Sequence, residues 1–236
     1  NYGTFASFDD VLALAQFYPM IAVYDDEGWN VEIAPPDGDV VYADSGYYLA
    51  RITAPSNQVI ATSGVTLDES SKGNQQVVTV AAGPAREFYL AASDAYQVVS
   101  QQIGETTINS YAPRSLRQGS NEVLDIAAAA MKSYEDHVGP YPYTEMDLVS
   151  TATSALGVEY PGIMALTSRI YDGQYQQYLE STVAHEVGHQ WFYNVVGDDQ
   201  LDEPWLDEAL TQYITLLYFQ DQYGQEGYDG FRQSFE

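Results

Sequence analysis

The chain has 236 residues, long enough to bury a substantial core in one large domain or two modest ones. It contains no cysteine, which excludes disulfides, thiolate zinc sites and cysteine nucleophiles together. Against 34 Asp plus Glu stand only 8 Lys plus Arg, and the formal net charge of -26 argues against nucleic acid or anionic lipid as a partner, while 45% hydrophobic and 14% aromatic content marks a chain that folds.

Residues 1–97 read as β structure. Runs of β-branched or alternating character recur at Ile21 to Tyr24, Trp29 to Ile33, Tyr47 to Thr53, Val59 to Thr62, Val77 to Val80 and Glu87 to Ala91. Turn chemistry separates them at Pro35-Pro36-Asp37-Gly38, Asp44-Ser45-Gly46 and Lys72-Gly73-Asn74. Val11 to Tyr18 reads as a short helix ahead of Pro19. Strands spaced this regularly predict an antiparallel saddle or sandwich.

From residue 98 the pattern changes to mixed α and β. A strand pair at Tyr96 to Val99 and Thr106 to Tyr111 leads into an alanine-rich helix, Asn121 to Val138, whose Leu124, Ala127, Met131, Tyr134 and Val138 recur at helical spacing. Gly139-Pro140 ends it. Further strands are predicted at Met146 to Thr151 and Ile163 to Thr167, and helices at Leu179 to Val196 and Pro204 to Tyr223, with Gly197 and Gly224 at their carboxyl ends. The fold class is α+β in two domains, 1–97 and 98–236. No run approaches the roughly 20 apolar residues that span a bilayer.

The second of these last three helices carries His185-Glu186-Val187-Gly188-His189, the pattern H-E-x-x-H. Residues four apart lie about 40° apart around a helix, so two imidazoles face one point and can ligate one metal ion. Glu186 lies at the edge of that face, within reach of a water on the metal. A zinc ion with an open position lowers the pKa of its water, and a nearby carboxylate takes the proton as that water attacks. A catalytic zinc needs a third protein ligand, and Glu208, beside the apolar stripe of the next helix, is the candidate. His137, near a helix end, reads as a cap or surface group.

His185-Glu186-x-x-His189, eighteen residues and then Glu208, flanked by Gln190-Trp191-Phe192 and Trp205-Leu206, resembles the gluzincin metallopeptidases of the aminopeptidase N (membrane alanyl aminopeptidase) type. Gly139-Pro140-Tyr141-Pro142-Tyr143 is similar to a segment of that family ahead of a catalytic-domain strand. Leu156-Gly157-Val158-Glu159-Tyr160 lines up with its Gly-x-Met-Glu-Asn exopeptidase motif. The resemblance implies a β saddle followed by the N-terminal half of a thermolysin-like catalytic domain, with one Zn2+ per chain on His185, His189 and Glu208 and Glu186 as general base. It implies that Glu159 holds the free α-amine of a peptide substrate.

Leu156, Val158 and Tyr160 depart from that motif, so recognition at the substrate edge is expected to differ. The family's oxyanion-binding tyrosine falls downstream of this chain, and loss of one oxyanion donor costs about 100- to 1000-fold in rate, so low activity is expected of residues 1–236 alone. The chain accordingly reads as the first part of a longer protein. Two other functions fit the same residues: a zinc endopeptidase, or a peptidase fold kept for peptide or protein binding. Absent cysteine, strong acidity and scarce lysine favour a secreted or cell-envelope setting.

Overall fold

Alternation of period two organises the amino-terminal half of the computed structural model, which describes residues 5–33 and 41–235. The strands are β1 (Phe5–Phe8), β2 (Val11–Leu14), β3 (Tyr24–Asp25), β4 (Gly28–Trp29), β5 (Gly46–Pro55), β6 (Val59–Thr62), β7 (Val65–Lys72), β8 (Gln75–Ala85) and β9 (Leu90–Ser93). They form an antiparallel four-stranded sheet, β1-β2-β9-β6, an antiparallel three-stranded sheet, β5-β8-β7, and the small hairpin β3-β4. Val78, Val80 and Ala82 of β8 pack against Leu90 and Ala92 of β9 together with Phe88. The turn expected at Pro35-Pro36-Asp37-Gly38 lies outside the described residues.

The carboxyl-terminal half adds β10 (Tyr96–Ile103), β11 (Thr106–Pro113), α1 (Arg117–His137), β12 (Glu145–Thr151), β13 (Gly157–Tyr160), β14 (Ile163–Thr167), α2 (Ser168–Tyr171), α3 (Gln176–Gly188) and α4 (Trp205–Gln233). One mixed sheet runs β10-β11-β12-β14-β13, parallel at its two central junctions and antiparallel at both edges. β12, β13 and β14 are buried on both faces, whereas the edge strand β10 is largely exposed. Ile108, Met146, Leu148, Met164 and Leu166 face α1, α3 and α4. Val149, Val158, Tyr160, Ile163 and Ala165 face the four-stranded sheet, where Tyr89 stacks on Tyr160 with centroids 4.2 Å apart. The four-stranded sheet is thus a middle layer: Ala91 of β9 points to the mixed sheet, Leu90 and Ala92 to the three-stranded one.

The architecture is α+β, and several elements differ from the sequence prediction. Val11 to Leu14 is a strand rather than the start of a helix, because Val11 and Ala13 fill the middle layer while the backbone pairs with β9. The runs at Ile21 and Trp29 shrink to the two-residue strands β3 and β4, and the strand expected from Glu87 begins only at Leu90. The helix expected to reach Val196 ends at Gly188, since Tyr193 takes φ 130° and Val196 bridges Phe192. The last helix continues to Gln233 across Gly224, whose φ of 67° breaks it where the helix end was expected. Among the described residues no helix is long and apolar enough to cross a membrane.

Leu148 is fully buried between sheet and helices, whereas Leu49 on β5 is 75% exposed. Leu148→Ala is expected to lower the unfolding free energy by about 2–5 kcal/mol, and Leu49→Ala by less than about 0.5, both read from urea denaturation.

Candidate metal centre

The centre is built where the end of α3 meets the first turns of α4. Gly188 makes that approach possible: a Cβ there would lie 2.9 Å from Thr211 Cγ2 and 3.1 Å from Ile214 Cδ1, both on α4. Across this contact His185 Nε2 lies 3.0 Å from His189 Nε2 and 3.3 Å from Glu208 Oε2, and His189 Nε2 lies 3.9 Å from the same oxygen. An ion held tetrahedrally at about 2.0–2.1 Å sets its ligand atoms roughly 3.3 Å apart, so this donor set fits a zinc ion.

His189 has its tautomer set by its neighbours. Its Nδ1 is 3.0 Å from the carbonyl oxygen of Phe192, which can only accept, so Nδ1 carries the proton and Nε2 keeps its lone pair. Thr211 Oγ1, at 3.3 Å, and Asp207 Oδ2, at 3.9 Å, stand on the same side of the ring. Burial holds both imidazoles below the usual histidine range, against the pull of Glu208. Neutral imidazole is the form that ligates a metal. The hydrogen bond with His185 holds the half-exposed Glu208 carboxyl below the usual carboxylate range.

A cleft of about 700 Å³ opens beside these groups, lined by Leu156, Gly157, Tyr178, His185, Glu186, Phe219 and Phe231 among others. Glu186 is 5% exposed, and its side chain lies against Gly157 at the start of β13. A Cβ at Gly157 would fall 2.4 Å from Glu186 Cδ, so any larger residue there would displace this carboxylate. Glu159, two residues along the same strand, is 8% exposed and is not part of the cleft wall. Its Oε1 accepts a 3.1 Å hydrogen bond from Gln200 Nε2, and burial pushes its carboxyl well above the usual range, with Glu208 and Asp207 adding to the rise. His137 stands apart, 3.0 Å from Asp221 in a tie between α1 and α4 that also takes in Ser133.

The amino-terminal layers grip the loop after His189. Arg86 donates to the carbonyls of Tyr193 and Ala43, each at 3.0 Å, and Glu87 accepts the Tyr193 hydroxyl at 2.5 Å. Gly197 yields its side-chain space to the Arg86 guanidinium. The sequence prediction did not identify Gly157, Gly188, Gln200, Asp207 or the Arg86-Glu87 pair. Only Asp207, adjacent to Glu208, carried a local signal, a second acid in the same helical turn.

Residues 122–235 match the model of the Peptidase family M1 domain. The chain is 25% identical over 189 residues to "Aminopeptidase M1" of Arabidopsis thaliana, an overlap of 70% of this chain and 20% of that protein. It is 26% identical over 185 residues to "Leukotriene A-4 hydrolase" of Xenopus laevis, covering 76% and 30%. With "Aminopeptidase M1-C" of Oryza sativa subsp. japonica it shares 32% over 103 residues, 40% of this chain and 12% of the relative. Matches therefore span about a tenth to three tenths of these relatives' lengths.

Burial pushes the Glu87 carboxyl up to about 7, outweighing the hydrogen bonds from Tyr193 and Gln16. The folded state thus binds a proton that the unfolded chain releases near pH 4.5, so this group's contribution is complete below that pH and is lost as pH rises through 7. Glu87→Gln is expected to reduce the loss of stability between pH 5 and 8 by on the order of 3 kcal/mol relative to the parent, measured as urea midpoints across that range. Equal slopes for the two proteins would show that Glu87 is ionised in the fold.

Proposed function

We propose that this chain, whose residues 122–235 belong to peptidase family M1, carries the metal-binding part of a zinc-dependent aminopeptidase acting on peptides with a free amino terminus. In this reading residues 1–97 form a β saddle domain and residues 98–236 the N-terminal half of a thermolysin-like catalytic domain. One observation carries the metal assignment: two imidazole nitrogens and a carboxylate oxygen, from residues as far apart as 185 and 208, converge within 3.0–3.9 Å beside a cleft.

His185, His189 and Glu208 would hold one zinc ion per chain, which supplies a Lewis acid and lowers the pKa of a water at its open position. Glu186 accepts the proton of the attacking water and returns it to the departing amine, a general base and then acid. Gly157 keeps that carboxylate at the cleft wall by leaving it the space of a side chain. Glu159 would supply the counter-charge to an α-ammonium group by giving up its proton on meeting it, and the cleft's Leu156, Tyr178, Phe219 and Phe231 offer apolar surface to the substrate.

A second reading, a zinc endopeptidase, is favoured by the burial of Glu159 behind Gln200, away from the cleft wall. A peptide with a free amine and its acetylated twin separate the two: an aminopeptidase loses turnover on acetylation, an endopeptidase does not.

Metal analysis after exhaustive dialysis is expected to find close to one zinc per chain, and His185→Ala to lose it. Retention of the same zinc by that variant would sink the assignment. Gly157→Ala is expected to lower kcat by at least tenfold while zinc content stays at the parent's level, since it displaces Glu186 and no ligand. Unchanged kcat would show that Glu186 tolerates displacement.

A further inference from the structure

Behind the metal-facing side of His189 lies a second group of ligand-type atoms: Glu159, His189 and Asp207, all buried, with carboxylate oxygens and a ring nitrogen within 4.8 Å of one another. Two carboxylates brought this close in a buried site need a hydrogen-bond donor between them. Among the described residues, the group that meets both is the amide of Gln200, itself 4% exposed. Its Nε2 donates to Glu159 Oε1 at 3.1 Å and to Asp207 Oδ2 at 2.7 Å, which uses both N–H groups of the amide. Its Oε1 accepts the backbone N–H of Val41 at 3.0 Å. Asp207 Oδ2 is the same oxygen that stands 3.9 Å from His189 Nδ1, while Asp207 Oδ1 accepts the backbone N–H of Glu208 at 2.8 Å.

We infer that Gln200 is a positioning residue for the metal centre: its amide holds Asp207 against His189 and at the backbone of Glu208, and ties that carboxylate to Glu159. This rests on the zinc reading above and adds the part that sets two ligands from behind. The residue type follows from the geometry. Glutamate at 200 would put a third carboxylate between two others, and asparagine is one methylene too short to reach both. Methionine has the length and none of the donors, so in its place Asp207 loses the bond that fixes its side chain. Groups behind a metal-ligating histidine commonly contribute 10- to 100-fold to metal affinity.

The experiment is zinc titration of the purified chain against a chromophoric chelator, with urea denaturation run on each variant. Gln200→Met is expected to bind zinc 10- to 100-fold more weakly than the parent, and to shift the visible spectrum of the cobalt(II)-loaded protein, which reports ligand geometry. In an Asp207→Asn background the same substitution is expected to cost less than threefold, because Gln200 acts through Asp207. Zinc affinity within threefold of the parent and an unchanged cobalt spectrum would overturn the inference, whatever the change in stability. A full additional loss in the Asp207→Asn background would overturn it too. If Gln200→Met does not fold, Gln200→Asn carries the test with the same thresholds. His185→Ala is the separate check on the zinc reading: should it bind like the parent, that reading fails; should it lose zinc while Gln200→Met keeps it, only the role of Gln200 fails.

Discussion

Three carboxylates, Glu159, Asp207 and Glu208, crowd around two imidazoles at the junction of α3 and α4, and this electrostatic constraint governs the surroundings. Like charges a few ångströms apart in a buried site repel strongly, and each removed from water needs a donor. Glu208 meets His185, Asp207 meets the Glu208 backbone N–H and the Gln200 amide, and Glu159 meets the other N–H of that amide. The lone pair of His189 Nε2 faces His185 because the Phe192 carbonyl claims the opposite side of the ring. A cation joining such a set would offset that repulsion, which is what the proposed zinc ion would supply.

Everything outside the cluster serves to hold it still. The buried strands β12 and β14 of the mixed sheet carry the edge strand β13, which brings Gly157 against Glu186. The connection between β8 and β9 supplies Arg86 and Glu87, which fix the loop that contains the Phe192 carbonyl through Tyr193. A chain of contacts therefore runs from the amino-terminal sheets through one loop to the tautomer of a single histidine. Arg86 and Glu87 thus join the β layers to the candidate site, while the close approach at Gly188 joins α3 to α4.

Where the sequence prediction matched the structure, the signal was local. Val59–Thr62 and the alanine-rich α1 carry their period in their own residues, and so do the four-residue separation of His185 and His189 and the break at Gly224. Where it missed, the deciding partner was distant in sequence. Val11 to Leu14 has apolar residues that suit either a helix or a strand, and β9, some eighty residues on, decides between them. The end of α3 at Gly188 rather than Val196 depends on Arg86 and Glu87 drawing Tyr193 away from helical geometry.

The sequence alone determined the chemistry available here: no thiolate, two histidines one helical turn apart with a carboxylate between them, and a second acid at a recognisable interval. Helical period is set by backbone hydrogen bonds four residues apart, so this much is legible without a fold. Only the tertiary structure decided that Glu208 reaches the imidazoles, that Gly157 makes room for Glu186, and that Glu159 lies behind Gln200 instead of on the cleft wall. Those are relations between segments whose separation in the chain says nothing about their separation in space, and packing and the need to pair every buried charge fix them together.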